Sequence, residues 1–311
     1  MRPPRPRPIL PLRWLRAEPR EAPLLRVGLI VLAGVVGISF AAIFVRLALP
    51  APPVVTGFYR MLFATTLIAA WLLARRRLPG LDRRGAALAL ASGLCFGTDL
   101  ALWHTSIVRT SVATATLLVN TTPIHVGLYS ILVLHETLQR RFAAGALLAL
   151  AGTALLVGAP RALDDASGAL LALAAAVFYA GYLLLMKAAR RRTDTVPALL
   201  LASASATAAL GLYALVGGDA FRGFPSSSWA AMLGAALVSQ IGGVMAIVWA
   251  LRYLRATLAS VVLLAQPVGT ALLGWLLLDE PLAPLQLLGG ATVLAGIALA
   301  SQAARAEPSA S

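Results

Sequence analysis

The stretch TSVATATLLVNTTPIHVGLYSILVLHETLQRRFAAGALLALAGTALLVG, residues 110–158, has a counterpart in ATLASVVLLAQPVGTALLGWLLLDEPLAPLQLLGGATVLAGIALA at 256–300. At an offset of 144 residues Pro123 falls on Pro267, Glu136 on Glu280, Gly145 on Gly289 and Gly152 on Gly296. In each copy an apolar run with a central Pro leads to a Glu 13 residues later, and then to a second run containing Gly. Chance alignment of Leu- and Ala-rich sequence matches Leu and Ala easily. It does not readily place Pro, Glu and two Gly in one register. Elsewhere the offset drifts: Trp103 meets Trp249 at 146, and Arg46 lies near Lys187 at 141.

Composition says what kind of repeat this is. Of 311 residues, 59% are hydrophobic and 12% charged, where an average soluble domain carries roughly 25% charged residues. Mean hydropathy is +0.84. Such a chain cannot cover a water-facing surface with polar groups, which excludes a soluble enzyme, a secreted disulfide module and a disordered protein. At about 30 residues per membrane helix and connector there is room for about ten spans. Apolar stretches of that length occur at 26–46, 53–74, 85–106, 111–134, 142–158, 167–187, 195–216, 229–251, 256–277 and 284–302. The expected fold is an all-α integral membrane protein of ten transmembrane helices.

The net charge of +14 resembles a nucleic-acid signature until the charges are located. Most basic residues form short clusters between apolar runs, among them Arg75-Arg76-Arg77, Arg83-Arg84, Arg140-Arg141 and Arg190-Arg191-Arg192. Such clusters mark cytoplasmic loops beside anionic lipid. With the N-terminus inside, 21 basic residues are cytoplasmic and four (Arg46, Arg109, Arg161, Arg222) are external. Both termini are therefore expected in the cytoplasm. Residues 1–25 read as a basic, Pro/Arg-rich disordered tail and 303–311 as a short C-terminal tail. The first apolar run, Val27 to Val45, leads straight into a second span and reads as a retained helix rather than a cleaved signal.

Five spans per half is an odd number, so the halves insert in opposite senses. Inverted repeats of this kind build alternating access around a midplane site in many secondary transporters. The repeat motifs quoted above, with SGALLALAAAVFYAGYLLLMKAARR at 167–191, resemble the EamA family of the drug/metabolite transporter superfamily. The resemblance covers about residues 26–302, in two repeats at 26–158 and 159–302. It implies ten helices as two inverted five-helix repeats and, usually, export of amino acids or related small metabolites. Proton exchange is the drive commonly proposed, and some members take substrates up.

Polar residues at membrane depth usually face a protein interior or a water-filled cavity. Arg60 lies about seven residues into the second span, roughly 10 Å deep, and Asp99 stands about as far from the same surface. Equal depth permits an Arg60–Asp99 ion pair, either structural or coupled to transport. A carboxyl that loses its partner in a low-dielectric site can take up a proton, which makes Asp99 the candidate for proton coupling. Pro123 and Pro267 predict kinks, because proline leaves an i−4 carbonyl without its donor. Freed carbonyls with Asn120 in one repeat and Gln266 in the other could bind a polar substrate. His125, which can titrate near neutral pH, Tyr179 and Gln240 complete the substrate-site candidates. Trp103 and Trp249 fit an interfacial belt, and Ala33, Gly37 and Ala41 a small-residue packing stripe.

Glu136 and Glu280 end their spans on opposite faces, placed to accept from amides opening the next helix and so lock each turn. His135-Glu136-Thr137-Leu138-Gln139 imitates a zinc-protease motif, but position 139 is Gln rather than His. The lone Cys95 allows no intramolecular disulfide or cysteine metal site. No metal set, nucleophile constellation or phosphate-binding glycine loop emerges, so neither an enzyme nor a cofactor is expected. The partners expected are a small-molecule substrate, a bilayer with an anionic inner leaflet, protons as the candidate coupling ion, and no nucleic acid. A homodimer stays open. The alternatives to efflux are an importer of a small nutrient or lipid-linked carrier, and a non-transporting membrane scaffold or sensor.

Overall fold

A computed structural model of the chain describes residues 24–75, 82–109, 112–133, 139–157, 166–279 and 281–305. Those residues are almost entirely helical. Long helices are α1 (Leu24–Leu47), α2 (Pro53–Ala74), α3 (Arg83–Arg109), α6 (Arg140–Val157), α7 (Ala166–Arg190), α8 (Thr195–Gly217) and α13 (Pro284–Arg305). The eighth span is α9 (Ser226–Gly234), a π-helical segment (Ala235–Val244) and α10 (Met245–Ala250) in continuous sequence. Among the described residues nine helices are long and apolar enough to cross a membrane. The fourth span of the ten expected is divided into α4 (Val112–Val119) and α5 (Thr122–Leu132), each too short alone.

Local chemistry places these boundaries. Pro52 and Pro53 open α2, where a missing amide hydrogen leaves no bond unmade and the fixed φ suits a first turn. Gly218 ends α8 in the left-handed conformation at φ 72°, its amide returning to Ala214 and Leu215 carbonyls. The fourth and ninth spans break just ahead of their prolines. Thr121 and Ile124 amides bond three residues back instead of four, to Leu118 and Thr121 carbonyls. Leu264 and Gln266 amides do the same to Val261 and Leu263, dividing α11 (Ala256–Val262) from α12 (Ala265–Leu278).

The helices assemble as two groups. In one, α3 lies along α7 and α8, α2 along α8, and α1 along the π segment and α10. Its core includes Met61, Leu183, Met186, Leu199, Leu210 and Val248. In the other, α6 lies along α13, flanked by α11 and α12, around Phe142, Ala149, Leu264, Val293 and Ala300. Pairings recur between repeats: α3 on α7 corresponds to the π segment on α1, and α4–α5 on α7 to α12 on α1.

Lipid is as apolar as leucine, so helices associate there through close packing rather than apolar burial. The four register-matched glycines supply that closeness. A Cβ on Gly152 would meet Val293 N at 2.5 Å and Gly289 O at 2.8 Å; one on Gly145 would meet Ala300 N at 2.5 Å and Gly296 O at 2.7 Å. Equivalent glycines thus face each other crosswise along antiparallel α6 and α13. The Ala33–Gly37–Ala41 stripe is realised differently. Gly37 meets Gly243 backbone and Gly34 meets Ile247, while Ala33 is exposed. The face is set by which side of α1 the π segment covers.

Candidate functional site

Arg60 is buried on α2, and its Nη2 donates to Gln240 Oε1 at 3.0 Å. Gln240, 1% exposed, donates from Nε2 to Ser203 Oγ on α8 at 3.2 Å. It sits within the π segment, whose widened turn alters side-chain register and is a form often found at functional sites. The Arg60–Asp99 ion pair permitted by equal depth is not formed. α2 lies against α8 and the π segment and barely touches α3, so the guanidinium reaches a neutral amide instead. Among the described residues Arg60 has no carboxylate partner, and its buried Nε has no acceptor.

Asp99 is 5% exposed on α3, and its Oδ1 is buried without a hydrogen-bond partner. One turn earlier Phe96 stacks on Tyr182 at 4.7 Å between ring centroids, and Tyr179 lies 5.8 Å from Tyr182 with rings 16° apart. Tyr179 stands within electrostatic reach of both Asp99 and Arg60. His104 is also buried, with Nδ1 unpartnered, inside Arg60's field. His104 and Ser203 escaped the sequence reading. His104 lies beside Gly57 at the same level of the bundle as Arg60, and that depth was the signal that could have found it. A serine in an apolar helix carries no such signal.

The proline breaks use their own polar residues. Thr122 Oγ1 donates at 2.7 Å to Val119 O, the carbonyl that Pro123 leaves without its helical donor. Thr121 Oγ1 donates to Leu118 O at 2.6 Å and Asn120 Nδ2 to Thr116 O at 2.8 Å. The expectation of free carbonyls here is therefore corrected: neighbouring hydroxyls lie closer than any ligand and take them. In the second repeat, Gln266 and Thr270 fasten α12 to α1. Thr270 Oγ1 donates to Ser39 O at 3.1 Å, while Ser39 Oγ donates to Val35 O at 2.7 Å within α1 and lies 3.2 Å from Gln266 O. Gln266 thus meets a helix backbone; its side-chain Nε2 lies 3.5 Å from Ile38 O.

The corresponding interface in the other half is also packed, with Thr122 Oγ1 on α5 lying 3.4 Å from Ala176 O on α7. Beside that contact a groove of about 440 Å³, lined mainly by apolar groups with His125 and Tyr129 among them, opens to the surface past exposed Leu128, Leu132 and Val177. His125 Nε2 lies 3.4 Å from Thr121 Oγ1. Tyr179 and Gln240 are not among the lining residues. At the end formed by the α1–α2 and α8–α9 connections, Tyr59 OH donates to Phe221 O at 2.9 Å and packs edge-on against Trp229. At the other end Arg190 donates to Val248 and Thr193 carbonyls, and Arg192 pairs with Asp82 at 3.1 Å. Glu136, Glu280 and residues 1–23 lie outside the described residues. No group of three His, Cys, Asp or Glu is placed to hold a metal among the described residues.

A crystal structure of another protein superposes with a TM-score of 0.75 over 91% of this chain and 99% of that one. Identity is 23%, so the likeness is one of fold. No curated protein matches the sequence. The EamA-like transporter family matches at residues 25–158 and again at 166–302, once for each antiparallel repeat. With its multi-pass helical architecture and two repeats packed crosswise through α6 and α13, the chain belongs to the EamA-like transporter family.

Proposed function

We propose that this protein is a secondary active transporter that exports amino acids or related compounds across the cytoplasmic membrane in exchange for protons. Both termini lie in the cytoplasm. The observation that carries the reading is the buried polar set within the inverted repeat: Arg60, Gln240 and Ser203 in one chain of hydrogen bonds, and Asp99 with an unpartnered oxygen. The two repeat-related interfaces are built alike, Thr270 tying α12 to α1 and Thr122 tying α5 to α7. Two related packings about a pseudo-two-fold axis are what alternating access exchanges. Asp99 is the proton site in this reading, a buried carboxyl with an unpartnered oxygen. The apolar groove supports a second reading, import of a small nutrient or lipid-linked carrier through the same machinery.

The test is metabolite mass spectrometry on the medium of overexpressing cells, followed by flux into proteoliposomes under an imposed pH gradient. A metabolite accumulating with wild type, whose flux follows the gradient, supports export by exchange. Asp99→Asn is expected to remove the dependence on the gradient. Gradient-dependent flux through Asp99→Asn would return that residue to a structural role.

A further inference from the structure

We infer that the groove between α5 and α7 seats one acyl chain of an anionic phospholipid, drawn from the leaflet beside Arg190–Arg192. In the topology proposed above that is the cytoplasmic leaflet. The inference is independent of which substrate the protein moves. The groove follows one face of each helix, from Val177 to Ala188 on α7 and from His125 to Val133 on α5. Ala180, Gly181 and Ala188 give it depth, because their side chains are small or absent.

Length and ends identify the occupant. From Val177 to Ala188 the α7 side advances eleven residues, roughly 16 Å at 1.5 Å per residue. Half of a hydrocarbon core about 30 Å thick is about 15 Å, so the groove is one leaflet long. Just ahead of His125 and Val177, the Thr122–Ala176 contact brings the helices together and closes it. Val177 stands at the middle of α7 (Ala166–Arg190), which puts this blind end near the bilayer midplane. A substrate path must cross the midplane, whereas an acyl chain ends there. The side of the groove opens past exposed Leu128, Leu132 and Val177, on helices that span the membrane, and so toward lipid. Of the polar liners, His125 has Thr121 Oγ1 at 3.4 Å within its own span, and the Tyr129 ring offers the chain an apolar face.

The other end of the groove is positive. Lys187 and Arg191 flank Ala188 in sequence, followed by Arg192, and the acids described there are Asp82 and Asp194. The Arg191 amide returns to the Ala188 carbonyl at 3.3 Å, so the chain keeps winding past the last groove residue. Arg190 is turned inward to the Val248 and Thr193 carbonyls, and Arg192 pairs with Asp82. Basic clusters at the end of a transmembrane helix attract anionic headgroups. Apolar length and terminal charge together match a phospholipid and not a free fatty chain or a free phosphate.

Delipidated full-length protein in detergent is titrated with dioleoyl phosphatidylglycerol and with dioleoyl phosphatidylcholine, and adducts are counted by native mass spectrometry. The two lipids share their chains and differ in net charge. The expected result is one saturable adduct, tighter for phosphatidylglycerol on the order of 10-fold, with a melting temperature that rises as the adduct fills. Val177→Trp and Leu128→Trp each set an indole at the rim in place of an exposed side chain. Both are expected to weaken the adduct several-fold while the lipid-free protein melts as wild type does. Leu170→Trp, exposed on α7 outside the groove, is expected to bind as wild type. Arg191→Gln is expected to reduce the preference for phosphatidylglycerol several-fold. The assignment is overturned if neither lipid gives a saturable adduct or if the two bind alike. It is equally overturned if both rim variants bind normally, if Leu170→Trp weakens binding as much as they do, or if Arg191→Gln keeps the full preference.

Discussion

Gln240 makes two buried hydrogen bonds with one side chain, so its replacement is felt twice. Gln240→Leu leaves the Arg60 guanidinium without that acceptor and Ser203 without a donor. Removing a partner from a buried charged group is costly, and we expect a loss of about 2–4 kcal/mol, read by thermal melting in detergent. Gln240→Glu retains an acceptor and should recover most of it. Arg60 and Asp99 were legible in the sequence because ionisable residues in apolar spans are rare. Their relation was not: depth alone could not say that α2 turns its Arg60 face toward α8 and the π segment. Asn120 and Gln266 illustrate the same gap, since amides that look free in sequence are spent on neighbouring backbone carbonyls.

Single elements respond to what stands at their surfaces. Gly152 has no room for a side chain against Val293 and Gly289. Gly152→Val should push α6 from α13, costing about 1–3 kcal/mol and lowering the melting temperature; the same substitution at Gly28, where nothing lies within 4 Å, is the control. The connection between α2 and α3 is pinned more lightly. Arg192 donates to Asp82, and this bond chiefly holds the Asp82 carboxyl below its ordinary value of 3.8. A carboxyl with a depressed folded-state pKa contributes stability that is complete above its unfolded value and fades as pH falls through the folded one. Asp82→Asn should therefore differ from wild type most above about pH 3.8 and progressively less below it, and slightly throughout, because exposed pairs contribute little. Melting curves at neutral pH and near pH 3, at low and high salt, check this.

At the scale of the whole molecule, ten spans set both termini on one side. Fluorescent-protein fusions at Met1 and Ser311 should both be bright in the cytoplasm, and a periplasmically active phosphatase inserted at Ala51 should be active. Reversed signals would invert the proposed topology. Closure is expected to shift when the fastened interface is wedged. A Cβ at Gly269 would press on Ser39, so Gly269→Val should open α1 from α12 and raise alkylation of a cysteine placed at Thr270, measured in a Cys95→Ser background.

Membrane residence, span number and the inverted repeat were written in composition and in four residue types recurring at one offset. These follow from local rules: apolar length against bilayer thickness, and proline or glycine where a ladder breaks or backbones touch. The Pro breaks in the fourth and ninth spans belong to the same class. Partnership between helices did not follow. Gly145 and Gly152 match Gly289 and Gly296 in sequence, but crosswise contact along antiparallel α6 and α13 needs both repeats in place. The neutral hold on Arg60 and the unpartnered Asp99 arise only once α2, α3, α8 and the π segment are in place. Hydrogen-bond partners and voids are properties of three-dimensional neighbours, and residues 60, 203 and 240 become neighbours through packing rather than through sequence.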